Sequence, residues 1–177
     1  MSYEMSDAQI AQATQLYTGK LAWPTIFTGV FAVITYVGVM YGAITGILPG
    51  VLSFIILSYF VYVVYTPLHE AVHNNIVGPH QSLRWVNKAI GIAVGNILGV
   101  SFVMHKYAHI EHHRHTNVPG KDPDLGYGKG TFFDVLIGGT KVIVNEYRMY
   151  FLNAFPKAST NEKITVALEL LGILSWR

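Results

Sequence analysis

From Leu21 to Tyr65 the chain carries no Asp, Glu, Lys or Arg. As helix, those 45 residues would extend about 68 Å, against a bilayer hydrocarbon core of roughly 30 Å. One crossing cannot absorb that length; two can. The break falls at Gly42–Gly50 (GAITGILPG), where three glycines and Pro49 predict a turn. The spans are then Trp23–Tyr41 and Val51–Thr66, with Trp23, Tyr41, Tyr62 and Tyr65 near the ends, where amphipathic rings favour the interface. A buried hairpin of a soluble protein is the alternative, but so short a chain has too little protein to cover two such helices.

The connecting loop holds no Lys or Arg, whereas eleven of the twelve basic residues follow Tyr65 and the other is Lys20. The positive-inside rule therefore turns both ends of the hairpin to the cytoplasm, predicting a multi-pass membrane protein. Residues 1–20 carry Glu4 and Asp7 and lack the basic start of a secretory signal. Within this cytoplasmic segment, Ser6-Asp7-Ala8-Gln9 has the form of a capping box opening a short helix, a frayed polar tail being the alternative.

Beyond Thr66 the chain reads as helices and loops of another kind. Residues 83–104 are apolar but interrupted by Arg84, Lys88 and Asn96, which suits a re-entrant or interfacial helix. Residues 116–131, with two prolines and four glycines, form a loop; 132–152 are amphipathic, as expected of a helix on the membrane surface. Ile164–Trp176 reads as the opening of a further span. The fold class is thus an all-α integral membrane protein in a single domain. It runs from a segment 1–20 through a transmembrane hairpin 21–66 and a histidine-rich region 67–131 to an interfacial part 132–177.

Cysteine is absent, which removes disulfides, thiolate metal sites and a cysteine nucleophile. Net charge is +2 with no long basic block, so no nucleic-acid partner is indicated. All eight histidines lie within residues 69–115. His69 and His73, in HEAVH, are four apart, which on a helix sets the rings about 40° apart on one face. In HKYAHIEHHRH, His105, His109 and His112 recur at helical spacing with His113 beside them, while His115 points elsewhere and is the weakest candidate. Such convergence predicts metal binding; His80, in GPHQS, reads as a solvated loop residue. Imidazole suits zinc, copper, iron and nickel alike, but five to seven histidines overfill one zinc site, and two metals are more economical. HEAVH also matches the H-E-x-x-H zinc-peptidase pattern, with Glu70 as general base, though that reading leaves the second cluster unexplained.

HEAVH at the end of a transmembrane helix, followed about forty residues later by HIEHHRHTNVPGKDPD, resembles the membrane fatty acid desaturase superfamily of non-haem diiron enzymes. Box one corresponds to His69 and His73; box two, of the form HxxHH, to His109, His112 and His113. The TN-x-PG-x-DPD tail, Thr116 to Asp124, is shared with bacterial acyl desaturases and related oxygenases, and the resemblance covers roughly residues 20–130. It implies two irons held by neutral imidazoles, with O2 as co-substrate, a fatty acyl chain as substrate, the lipid bilayer as its setting, and an external electron donor of ferredoxin, rubredoxin or cytochrome type. After a first hydrogen abstraction from the acyl chain, a second would give an alkene, whereas oxygen rebound would give an alcohol. Glu70, Glu111, Asp122 and Asp124 are the expected acceptors behind the metal-binding imidazoles. Arg114 and Lys106 could draw an acidic donor or a lipid headgroup, solvated interfacial cations being the alternative.

The superfamily's third histidine box has no counterpart, since no histidine follows His115. The expectation is an amino-terminal fragment, or else an atypical chain with an incomplete site. Alternatives to desaturation are hydroxylation or carotenoid ketolation, a zinc metallopeptidase, and a non-catalytic metal-binding membrane fragment.

Overall fold

The computed structural model describes residues 20–125 and 130–175, apart from the side chain of Leu136. The segment with the expected Ser6 capping box, and Trp176 at the end of the last apolar run, lie outside the described residues. Every regular element described is helical. The described residues fall into two compact units divided between Gly91 and Ile92.

In the first unit, α1 (Trp23–Ile44) and α2 (Gly50–Val63) form a hairpin. Helix α3 (Tyr65–Val72) continues α2 past Val64, so that Gly50–Val72 is a single apolar stretch of 23 residues. Pro67 accounts for the joint: it has no N–H for the carbonyl four residues earlier and its ring crowds that turn. Among the described residues, these two helices are long and apolar enough to cross a membrane, at 22 and 23 residues. Their packing is the inverse of a soluble hairpin. The buried positions of α1 are Gly29, Ala32, Val39 and Gly42, and that of α2 is Ser53, while Phe27, Phe31, Ile34, Phe54 and Ile55 face outward. Small residues at the contact and large apolar ones outside are what lipid demands, because hydrocarbon solvates Phe and Ile as well as protein does.

The turn is shorter than its composition suggests. Residues through Ile44 remain helical, and Gly42 sits inside α1, where a Cβ would stand 2.8 Å from the Leu48 side chain folding back on it. Only Thr45–Pro49 leave the helices, with Gly46 in the left-handed region at φ +74°. At the other end, α3 closes with Asn74 at φ +59°. The Asn75 N–H donates to the Glu70 carbonyl and the Asn74 N–H to the Ala71 carbonyl, which is the Schellman pattern.

The apolar stretch 83–104 is not one helix. A 3₁₀ turn (Gln81–Leu83) leads into α4 (Arg84–Leu98), which ends in a second Schellman motif, with Gly99 at φ +77° and the Val100 N–H on the Gly95 carbonyl. The chain bends by 94° there, and α5 (Phe102–His115) starts afresh. The cause is local: a glycine that frees the C-terminus is followed two residues later by Ser101, whose hydroxyl accepts the Met104 N–H as N-cap.

The second unit continues through α6 (Phe132–Met149), a π turn (Tyr150–Ala154), a 3₁₀ turn (Phe155–Lys157) and α7 (Thr160–Ser175). Helix α6 begins with a reciprocal capping box between Thr131 and Asp134. Met104, Tyr150 and Val166 form its core, with Tyr107, Tyr147 and Phe155 packed around them. Helix α7 covers the described part of the apolar run that begins at Ile164. It has 16 residues, about 24 Å of helix. It also buries Glu169, which accepts from the Ser101 hydroxyl at 2.5 Å and the Val103 N–H at 3.3 Å.

Candidate metal centre

In the first unit, His69 lies in α3 and His73 caps its end, their ring centroids 4.7 Å apart, so the four-residue spacing does bring the rings together. Glu70 lies 3.2 Å from His69 Nδ1 through one carboxylate oxygen and accepts from the Asn75 amide at 3.0 Å through the other. A carboxylate only accepts, so His69 carries its proton on Nδ1 and presents the Nε2 lone pair.

In the second unit, α5 brings His105, His109, His112 and His113 close together. Ring centroids are 5.7 Å apart for His105 and His109, 4.6 Å for His109 and His113, and 5.7 Å for His112 and His113. His109 Nε2 and His113 Nε2 approach to 3.0 Å. Two nitrogens each about 2.1 Å from one ion, at a right angle, would be separated by about that distance. His115 departs from the group: with Arg114 it turns to Glu111, at 3.6 and 2.7 Å. Glu111 therefore serves the exposed edge of α5. Lys106 lies over the Phe102 ring at 6.0 Å, and His80 is exposed just before the 3₁₀ turn.

The TNVPGKDPD segment acts as a backstop for His112. Thr116 (φ −46°, ψ 124°) and Asn117 (φ +64°) turn the chain so that the Val118 N–H reaches the His115 carbonyl. Pro119 and Gly120 (φ +77°) repeat the turn, closing Lys121 N–H on the Val118 carbonyl. Pro before a residue with positive φ is the composition such turns require. The result returns the buried Asp122 to α5. Its carboxylate accepts from His112 Nδ1–H at 2.8 Å, from the Asn117 N–H at 2.6 Å and from the Asp124 N–H at 2.8 Å. Burial pushes the Asp122 carboxyl up, but these hydrogen bonds and the His112 ring outweigh it and hold the group below the usual carboxylate range. Asp124, 3.6 Å from His112 Nδ1, is moved the other way: burial, and the like charges of Glu146 and Asp122, raise it. His112, Asp122 and Asp124 gather closely enough to hold a cation.

One residue of this site escapes the sequence. His105, buried in α5, sets Nδ1 3.0 and 3.2 Å from the two carboxylate oxygens of Glu146, buried in α6. In the sequence Glu146 is one charge on an amphipathic helix, and the only available signal is that it lies on the face which α6 must bury.

A family model described as fatty acid desaturase matches residues 45–159, a stretch that includes both histidine boxes and the DPD loop. No curated protein and no solved structure gives a significant match.

Proposed function

The chain belongs to the fatty acid desaturase family, and from that premise we propose that it is an O2-dependent fatty acyl desaturase whose histidines hold two irons. The observation that carries the metal reading is a repeated one: His69, His105 and His112 each set Nδ1 against a carboxylate, of Glu70, Glu146 and Asp122. Metal-binding imidazoles are oriented in this way, and a set of neutral nitrogens with no thiolate suits non-haem iron.

In this reading His69, His73, His109, His112 and His113 are ligands, with His105 an added candidate, and Glu70, Asp122 and Asp124 fix ring tautomer and orientation. When bound, the irons supply O2 activation and hydrogen removal from an unactivated acyl chain, with electrons from an external ferredoxin, rubredoxin or cytochrome. The outward Phe and Ile residues of α1 and α2 seat the chain in the bilayer, where an acyl substrate is already dissolved. The histidine-bearing ends face the cytoplasm of a bacterial inner membrane, within reach of a soluble donor. The zinc-peptidase reading gains nothing from the structure, because Glu70, its would-be base, has one oxygen beside His69 and the other on Asn75.

Metal analysis of the detergent-purified chain tests the proposal. Iron is expected, with marked loss from both His69→Ala and His112→Ala. One zinc and no iron, lost on His69→Ala but retained on His112→Ala, would overturn it in favour of the peptidase. With ferredoxin, reductase and O2, a saturated acyl substrate should yield an alkene rather than an alcohol.

A further inference from the structure

Helix α6 reaches the residues around box two through two adjacent side chains. The Asn145 amide donates to the Pro123 carbonyl of the DPD loop at 3.4 Å, and Glu146 meets His105 Nδ1 with both carboxylate oxygens. The second contact is costly. Both side chains are buried, at 8% and 7% exposure, and an apolar pair of similar volume would stabilise a core equally well. What the pair accomplishes chemically is to fix the proton on Nδ1 and direct the Nε2 lone pair along the side of α5 that carries His109.

We propose that His105 is a further ligand of the metal centre, outside the HxxHH motif, and that Glu146 is the positioning residue which holds it for that role. The proposal rests on the metal reading above.

The test is metal binding by the full chain in detergent micelles, with Co2+ as a spectroscopic probe and Fe2+ as competitor. Glu146→Leu should weaken binding about 10- to 100-fold, as loss of a partner behind a ligand does. His105→Ala should weaken it at least as much and alter the visible Co2+ bands. Glu146→Gln, which keeps an acceptor, should recover part of the affinity. Adding Glu146→Leu to His105→Ala should cost nothing more, because the carboxylate acts through the ring. Circular dichroism of each metal-free variant separates misfolding from ligand loss, with Glu146→Gln as the variant most able to fold. Wild-type affinity and bands in His105→Ala would overturn this proposal alone. So would equal losses from Glu146→Leu with and without His105. A wild-type chain that binds neither metal would overturn the metal reading and this inference together.

Discussion

A carboxylate that receives three donors from one short loop is a fixed point, and Asp122 is that point here. Its partners come from a side chain at position 112 and from two backbone amides at 117 and 124, so one anion sets both loop shape and ring orientation. Replacing it with Asn puts an amide N–H against donors and leaves at least one without an acceptor. Asp122→Asn should cost about 2 kcal/mol in denaturant unfolding in micelles. The cost has a pH signature. The folded carboxyl lies below its ordinary value, so its contribution is fully present above the unfolded value of about 3.9 and is lost as pH falls through the folded value. The gap between wild type and Asp122→Asn should thus be constant near neutrality and narrow below about pH 4. A gap independent of pH would show that the charge contributes nothing.

Helix boundaries carry the next level of organisation, and that between α4 and α5 matters most because it aims the histidine helix. Ser101 is fully buried and works twice, accepting the Met104 N–H and donating to Glu169. Ser101→Ala removes an N-cap worth about 0.5–2 kcal/mol and also strips a buried carboxylate of a donor, so a loss of about 2 kcal/mol or more is expected in thermal or denaturant unfolding. A loss below about 0.5 kcal/mol would mean that Glu169 alone caps the helix. These elements also show what a sequence discloses. The hairpin was legible because freedom from charge over 45 residues has few physical solutions. The clustering of His109, His112 and His113 was legible because helical spacing places neighbours without any knowledge of tertiary packing. The break at Gly99 was hidden inside an apolar run, although Gly followed by Ser two residues later is a stop and start signal in miniature. Glu146 and Glu169 were not legible as buried acids. Their partners lie 41 and 68 residues away, and no local periodicity encodes a contact of that range.

At the scale of the whole chain, the governing asymmetry is that of charge about the hairpin. The turn between α1 and α2 has five residues, none of them basic, and the chain resumes Lys and Arg only beyond α3. A short loop free of Lys and Arg is the one the positive-inside rule allows to cross, so the turn should face away from the cytoplasm and the histidine-bearing end of α3 toward it. Absence of cysteine makes this directly measurable, because any introduced thiol is unique in the chain. Ile47, 70% exposed in the turn, and Ser82, exposed in the 3₁₀ turn after α3, lie beyond opposite ends of the Gly50–Val72 helix. In intact spheroplasts, a membrane-impermeant maleimide should label Ile47→Cys at once and Ser82→Cys only after permeabilisation. The reverse pattern would place the histidine boxes outside the cytoplasm, away from a cytoplasmic electron donor. Labelling of both residues in intact cells would deny the crossing by Gly50–Val72 and make its outward apolar side chains an aggregation surface rather than a lipid-facing one.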